Sequence, residues 1–442
     1  MKKLSLIRVL VLLVLFAAMA GFTVTGAMAE EAAPAAAAAA PKLDTGDTAW
    51  MIVATALVML MSIPGLALFY GGLSKRKDSL NTMAMTFVTF CIASLLWVVY
   101  GYSMTFGADI GGFIGGLEKV FLKGVGTASL SGTIPEYIFI VFQLTFAAIT
   151  VSLASGAYIE RMKFSAWILF SVIWMTLVYV PVAHWVWGGG FLMKMGALDF
   201  AGGTVVHINA GVAALVGALM LGRRKDKPLI PGNLTLVVTG TGLLWFGWFG
   251  FNAGSALAAN GLAGVAFINT NTAAAVAALS WMFVEWMHSG KPTVLGLASG
   301  AVAGLVTITP AAGFVNISGA IIMGILAGVV PFYAVAWMKP KFKYDDTLDA
   351  FGIHGVGGLL GAILTGVFAD PAINEAGRGL LYGNAGQLWI QIVASLATIA
   401  YSGTVTLVIF LGLKYTVGLR VDAESETMGL DESVHGERAY NI

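Results

Sequence analysis

The sequence of 442 residues contains a single cysteine, Cys91, and few charged side chains. One cysteine excludes a disulfide within the chain, iron–sulfur clusters and thiol-rich zinc sites. Charged residues make up only 11% of the chain and hydrophobic residues 58%, far from the balance of a soluble domain. The formal net charge of +1 gives no support for a nucleic-acid partner. This composition predicts an integral membrane protein, and the 56 glycines fit membrane helices that pack closely through small residues.

The N-terminal region predicts export. Residues 1–29 have a basic start, an apolar middle and an A-x-A end at Ala27–Ala29, which predicts a signal peptide cleaved after Ala29; an uncleaved anchor helix is the alternative. Residues 30–45 form a low-complexity Ala/Pro lead-in on the outer side. We assign residues 46–416 to the membrane domain and residues 417–442 to a cytoplasmic tail.

Hydrophobic runs predict an all-α membrane fold with eleven transmembrane helices. Each run approaches the length of about 20 residues that crosses a bilayer. The predicted spans are residues 48–72, 80–105, 134–158, 164–186, 203–221, 233–253, 261–287, 294–308, 316–338, 349–369 and 387–415.

The distribution of basic residues predicts the orientation. Alternate connections and the C-terminal tail hold most of the lysines and arginines, whereas the opposite side of the mature chain holds Lys42, Lys119, Lys123, Lys194 and Arg378. By the positive-inside rule, the N-terminus lies outside and the C-terminus lies in the cytoplasm. The bacterial-type signal at residues 1–29 predicts that the membrane is a bacterial cytoplasmic (inner) membrane. That orientation requires an odd number of spans, which agrees with eleven.

Two histidines lie inside predicted spans that are nearly free of charge. His207 and His354 have no ordinary partner nearby in sequence, and an ionisable group in a membrane span is a functional hypothesis by default. A core histidine bonded to a carbonyl or hydroxyl group is the other interpretation. We expect His184 to be a satisfied histidine at a helix end, and His288 and His435 to be solvated at the surface.

The surroundings of the two histidines are similar. Span five opens with Asp199, eight residues before His207, and span ten opens with Asp349, five residues before His354. These spans are the fifth members of two successive sets of five, which predicts two inverted five-helix repeats plus a final helix, with a site near the midplane between them. Whether the two rings touch is left open by the sequence.

Six motifs on the expected spans resemble those of the ammonium transporter (Amt/Mep/Rh) family, on its bacterial side. The motifs are ALFYGGL (67–73), DFAGGTVVHINAG (199–211), WFGFNAGS (248–255), ITPAAG (308–313), FGIHGVGG (351–358) and GLDESVHGERAY (429–440). The resemblance runs from about Ala49 to the C-terminus. It implies a homotrimer in which each eleven-helix subunit has its own pore for ammonium or ammonia.

The resemblance also implies roles for individual residues. It assigns substrate binding at the outer mouth to Phe142, Phe146, Trp187 and Ser255, a gate to Phe146 and Phe251, and the pore lining to His207, His354, Trp248 and Thr309. Asp199 has two interpretations, a structural cap at the start of span five or a residue that also shapes the outer site. Neither a cofactor nor a metal is implied, and we expect no enzymatic activity.

The assigned chemistry is reasonable without the resemblance. Aromatic faces attract an ammonium ion, and a serine hydroxyl accepts its hydrogen bond. Loss of one proton then removes most of the cost of entering an apolar wall. The proton either crosses separately through the histidines or returns outside, and the sequence does not decide between these routes.

On the cytoplasmic side, Lys291 and the connection 223–227 are candidates for docking a PII-type regulatory protein, with orientation by positive charge alone as the alternative. Three other functions stay open. They are an ammonium sensor without flux, a general gas or water channel, and an intramembrane enzyme that uses His207 and His354 as haem or metal ligands.

Overall fold

A computed structural model describes residues 42–225 and 230–440. The predicted signal peptide, most of the predicted lead-in and Lys227 lie outside these residues. Helices dominate the described chain, and several of the long ones continue through short π-helical or 3₁₀ segments.

Ten helices in the described part of the chain are long and apolar enough to cross a membrane. They are α1 (Thr45–Leu73), α2 (Arg76–Phe106), α3 (Glu136–Ser155), α4 (Phe164–Met195), α5 (Gly203–Leu221), α6 (Leu234–Gly254), α7 (Gly261–Ser289), α9 (Ile317–Phe342), α10 (Phe351–Phe368) and α11 (Ala385–Thr416). A shorter apolar helix, α8 (Val294–Ile308), stands between α7 and α9 at the position of the eighth predicted span. The predicted helices are therefore present in the predicted order, and ten of them have the length of a membrane span.

The connections contain little regular structure. Between α2 and α3, strands β1 (Asp109–Ile110) and β2 (Ile114–Gly115) form one antiparallel pair, and β3 (Leu130–Ser131) and β4 (Ile134–Pro135) form another. Two short helices follow α11, namely α12 (Ala423–Met428) and α13 (Leu430–His435). We call the side of β1–β4 the predicted outer face and the side of α12 and α13 the predicted inner face.

Polar side chains begin several of the helices. Asp44 accepts a hydrogen bond from the backbone N–H of Asp47 at the start of α1. Asn233, Asn260, Thr293 and Asn316 make the same kind of contact at the starts of α6, α7, α8 and α9. Because the first N–H groups of a helix have no partner within the helix, such caps fix the point at which the apolar run becomes helical.

Glycine permits close packing of α7, α8 and α9. A Cβ atom at Gly304 would lie 2.6 Å from the carbonyl oxygen of Ala273, and one at Gly324 would lie 2.9 Å from the same atom. No side chain fits at either position without displacing backbone. Two helices therefore pack against α7 at a distance that only small residues allow.

Six of the long helices contain a π-helical segment. The segments are Met61–Gly65, Trp97–Gly101, Met175–Tyr179, Gly203–Ile208, Ala334–Met338 and Phe351–Val356. Such widened turns occur frequently at functional sites. His207 and His354 each lie in one of these segments, which the apolar periodicity of the sequence did not predict.

The C-terminal tail packs against the predicted inner face of its own chain. The Asp431 carboxylate accepts hydrogen bonds from the backbone N–H groups of Leu80 and Asn81, at 3.0 and 2.8 Å. The His435 ring contacts the Asn81 side-chain oxygen at 3.1 Å and packs edge-on against Phe164. The expectation of a solvated His435 was wrong, because the tail folds back onto α2 and α4; the exposed His288 agrees with its expectation.

Candidate functional site

The side chains predicted to bind substrate lie together towards the predicted outer face. Trp187 is half-buried near the end of α4, and its indole N–H donates to the backbone oxygen of Asp199 at 2.9 Å. Its ring stands edge-on to Phe146, with 5.7 Å between ring centres. Phe142 packs edge-on against Phe146 at 4.9 Å, and the half-buried Ser255 donates its hydroxyl to the backbone oxygen of Phe251. An aromatic surface with one hydroxyl group results.

Phe146 and Phe251 form a stacked pair directly beside this surface. Their ring centres are 4.2 Å apart and their planes differ by only 12°. Both side chains are buried, at 1% and 0% exposure. The stack separates the half-buried residues near the outer face from the fully buried residues that follow.

His207 and His354 meet inside the bundle. Their Nδ1 atoms are 3.3 Å apart, and the rings stack with centres 5.3 Å apart and planes 18° from parallel. A hydrogen bond between two Nδ1 atoms requires that one ring donates and the other accepts, so two neutral rings here have different tautomers. Nε2 of His207 is buried and has no hydrogen-bond partner among the described residues.

Glycines place the two imidazoles in contact. A Cβ atom at Gly211 of α5 would lie 2.2 Å from both Cα and N of Gly355 in α10. Reciprocally, a Cβ atom at Gly358 of α10 would lie 2.7 Å from Cβ of His207. The backbones of α5 and α10 therefore cross as closely as backbones can, one helical turn beyond each histidine.

Trp248 connects the imidazole pair to a buried polar group. Its ring stacks on His207 with 5.5 Å between centres, and its indole N–H donates to the Thr309 hydroxyl at 2.9 Å. The Thr309 hydroxyl lies 2.7 Å from the backbone oxygen of Leu305 and 3.3 Å from the side-chain oxygen of Asn252. Asn252 is not among the predicted site residues, although it lies inside the motif WFGFNAGS with Trp248 and Ser255.

Asp199 caps the helix that carries His207. Its carboxylate accepts hydrogen bonds from four backbone N–H groups, those of Gly202, Gly203, Thr204 and Val205, at 2.6 to 3.1 Å. Burial raises the pKa of Asp199, and the four N–H groups oppose that rise by stabilising the anion. The same residue holds Trp187 through its backbone oxygen, so it supports both α5 and the aromatic surface.

The corresponding cap of α10 is Asp346, three residues before Asp349, which opens the predicted span ten. The Asp346 carboxylate accepts from the backbone N–H groups of Ala350 and Phe351 at 3.0 and 2.7 Å. Asp349 instead has a left-handed backbone, with φ 60°, and its side chain pairs with Lys339. Because the backbone turns at Asp349, the carboxylate of Asp346, three residues earlier in the chain, lies beneath the first N–H groups of α10. Asp346 precedes His354 by eight residues, the same separation as between Asp199 and His207.

Part of the basic connection 223–227 is buried near the predicted inner face. Arg224 is 8% exposed, and its guanidinium pairs with Glu160 and Asp345, each at 2.9 Å. The contact with Asp345 fixes the residue directly before the Asp346 cap. Burial alone would raise the pKa of Asp345, but the Arg224 guanidinium lowers it below its ordinary value. The Arg224 side chain therefore stabilises the fold through buried ion pairs, whereas the Lys291 side chain is exposed.

Metal binding was one of the open alternatives for the histidine pair. Within residues 42–225 and 230–440, no group of three or more His, Cys, Asp or Glu side chains is arranged to hold a metal ion. The ring nearest to the pair is Trp248, which offers a face and no metal-binding atom.

Known proteins are similar to this chain in both sequence and fold. The chain is 61% identical over 402 residues to an ammonium transporter of Aquifex aeolicus, covering 91% of this chain and 95% of that protein. The crystal structure of Candida albicans Mep2 superposes with a TM-score of 0.82 at 39% identity, covering 87% of this chain and 88% of that one. A structure described as a sensor Amt protein superposes with the same TM-score at 30% identity, covering 88% and 98%. The profile of the Ammonium Transporter Family matches residues 49–440, and the chain therefore belongs to that family.

Proposed function

We propose that the protein carries ammonium or ammonia across a membrane along the rings of the candidate site. One observation supports this path above all others, namely the continuity of the rings from the predicted outer face to the imidazole pair. The successive distances between ring centres are 5.7 Å from Trp187 to Phe146, 4.2 Å to Phe251, 6.2 Å to His207 and 5.3 Å to His354.

The outer aromatic surface recruits the cation. An ammonium ion gains about 0.5 to 2 kcal/mol from each well-placed aromatic face. Trp187 and Phe146 present such faces, and the Ser255 hydroxyl supplies an oxygen with a free lone pair. These contacts concentrate ammonium where the side chains are still half-buried and water is near.

Deprotonation allows passage beyond the phenylalanine stack, and the released proton either crosses separately through the histidine pair or returns to the water outside. A bare cation in an apolar interior loses several kcal/mol of hydration, whereas neutral ammonia loses far less. The imidazole pair offers donors and acceptors without requiring a charge. The unpartnered Nε2 of His207 is a hydrogen-bonding position for the neutral molecule as it passes from Phe251 towards His354.

We extend the proposal to the arrangement of the whole protein. Eleven spans in two inverted five-helix repeats would place the two Asp–His pairs on opposite sides of one pore, as their equal eight-residue separations suggest. The resemblance to the family supports a homotrimer in a bacterial inner membrane, with the N-terminus outside. On the inner face, the exposed Lys291 is a contact for a PII-type regulator.

Current measurement on purified protein in liposomes tests this function. The double variant His207→Ala/His354→Ala should lose or alter ammonium selectivity, while His288→Ala, which changes an exposed histidine, should behave as wild type. Unchanged selectivity and conductance in the double variant would contradict the proposed path.

A sensor is the second candidate, because a structure described as a sensor Amt protein has the same fold. A sensor would bind ammonium at the same aromatic surface without flux. Intact ammonium binding together with no ammonium-dependent current would favour this function over transport. Substitution of Trp187 by leucine should weaken binding in either case, so it reports on the surface itself.

A further inference from the structure

The His184 side chain has an unusual pair of hydrogen-bond partners. The ring is completely buried in α4, and the described residues provide one partner for each nitrogen. Nδ1 lies 2.7 Å from the backbone oxygen of Thr105, and Nε2 lies 3.0 Å from a carboxylate oxygen of Asp109. The expectation of a satisfied histidine at a helix end is thereby confirmed. Both partners are oxygen atoms, and a backbone carbonyl can only accept a hydrogen bond.

The Asp109 carboxylate also acts as an acceptor. The pKa of Asp109 is lowered to about 2, chiefly by hydrogen bonds from Lys194 and from His184 itself. Lys194 approaches the second carboxylate oxygen at 2.5 Å, and the backbone N–H of Gly112 donates to the first at 2.8 Å. An ionised Asp109 has no proton to donate to Nε2.

A neutral imidazole cannot satisfy this arrangement. It carries one N–H group, so one of its two nitrogens would direct a lone pair at an oxygen atom. The doubly protonated imidazolium donates to both oxygens, and its charge is balanced by Asp109. The contacts therefore select the charged form of His184 in spite of its burial.

His184 lies one helical turn before Trp187. Its backbone oxygen accepts from the N–H groups of Gly188 and Gly190 at 2.9 and 3.0 Å, which turns the chain sharply after Trp187. A Cβ atom at Gly188 would lie 2.0 Å from the Thr105 oxygen and 2.6 Å from Nδ1 of His184. The ring, the Thr105 carbonyl and this turn thus form one packed unit where α4 is interrupted, between Trp187 and the stretch Phe191–Met195.

We propose that His184 is a positioning residue, held as an imidazolium between Thr105 and Asp109, and that it makes the placement of Trp187 sensitive to the pH on the predicted outer face. The inference rests on the proposed role of Trp187 in recruiting ammonium. The imidazolium donates to both oxygens, whereas a ring with a single N–H group keeps only one of the two contacts and releases the turn after Trp187. Asp109 is a quarter exposed and Lys194 is 61% exposed, so water reaches the group from the outer face.

Other titratable groups surround the end of α4. The elements packed against it and the nearby connection carry Tyr102, Asp109, Glu118, Lys119, Lys123, Tyr179, Lys194, Asp199, His207 and Tyr401. Among the described side chains, Asp109 is the charged group that contacts the ring, and Lys194 acts through Asp109. Glu118 binds the backbone N–H of Ala108 instead.

Nitrogen-15 NMR of histidine-labelled full-length protein in lipid bilayers tests the charge directly. The His184 signals are those that a His184→Gln variant lacks. In the wild type at about pH 6.5, both ring nitrogens should be protonated, because both face acceptor oxygens. In Asp109→Asn, the amide can rotate to donate to Nε2, so the ring should be neutral with one N–H. A neutral His184 in the wild type would overturn the inference, whether or not the variant folds.

Transport supplies the second measurement. The ammonium concentration giving half-maximal current should rise several-fold in the wild type as the outer pH increases from about 5 to 8. Asp109→Asn should remove most of this rise, and Glu118→Gln, a neighbouring carboxyl that does not touch His184, should retain it. His207 and His354 are present in all three proteins, so an identical pH dependence in all three would assign it to them and overturn the inference. The NMR result stands independently of current, which separates failure of this inference from failure of the proposed transport function.

Discussion

Replacement of Gly211 by alanine tests the backbone crossing that brings the two imidazoles together. The new Cβ would lie 2.2 Å from Cα and N of Gly355 and 3.1 Å from the carbonyl carbon of His354. Because carbon atoms pack best at about 3.5–4.0 Å, α5 and α10 would have to separate by roughly 1.5 Å. The Nδ1 atoms, now 3.3 Å apart, would then lie beyond hydrogen-bonding distance.

The expected consequences are a less stable protein and a defective site. Overpacking of this kind costs about 1–3 kcal/mol, which should lower the midpoint of thermal unfolding in detergent. If about 1.4 kcal/mol of this cost destabilises the conducting arrangement of the site relative to a non-conducting one, ammonium-dependent current in liposomes should decrease about tenfold. Gly242→Ala is the matched control, because nothing lies within 4 Å of a Cβ at that position in α6. A Gly211→Ala protein with wild-type stability and current would refute the reasoning.

Two further predictions concern the polar groups around the pair. Asp346→Ala removes the acceptor for two backbone N–H groups at the start of α10 and should lower the free energy of unfolding by about 0.5–2 kcal/mol. Asp349→Asn keeps a side chain that tolerates the left-handed backbone and removes only the charge that pairs with the partly exposed Lys339, so it should cost less than about 1 kcal/mol. Equal losses in thermal unfolding would contradict the assignment of the cap. Trp248→Phe leaves Thr309 without the indole N–H and should destabilise by about 0.5–1.5 kcal/mol, whereas Trp389→Phe, at a ring that is 65% exposed, should have no measurable effect on detergent unfolding.

The helices were predictable because a membrane span depends on composition over a long window. The described helices follow the predicted runs in order, including the short α8 at residues 294–308. The ends agree to within a few residues, and α4 turns at Gly188–Gly190, close to its predicted end at residue 186, before the short helical stretch Phe191–Met195. Polar turns and glycines decide where such a helix stops, and hydropathy alone does not record them.

The sequence singled out the two histidines because each is isolated in an apolar span, but it left open whether their rings touch. The structure brings the rings together. The cap of α10 was not predictable in the same way, because it depends on the left-handed backbone at Asp349. The repeated separation of eight residues from aspartate to histidine was a signal in the sequence that could have identified Asp346.

Contacts between distant segments were the least accessible to sequence reasoning. Arg224 was expected in a surface connection, but Glu160 and Asp345 bury its charge. Likewise, the tail gave no local sign that Asp431 would bind the start of α2. Both depend on where the connections meet after the helices have packed.

The stack of Phe146 and Phe251 also bears on how voltage would act on the proposed transport. Phenyl rings carry no net charge, so an electric field across the bilayer does no work when either ring rotates aside. Opening of the stack should therefore proceed at the same rate at any membrane potential. Any voltage dependence of the flux would have to arise from a charge that moves through the field, such as ammonium at the outer surface or a separate proton. The current–voltage relation is therefore a direct measure of what crosses as an ion.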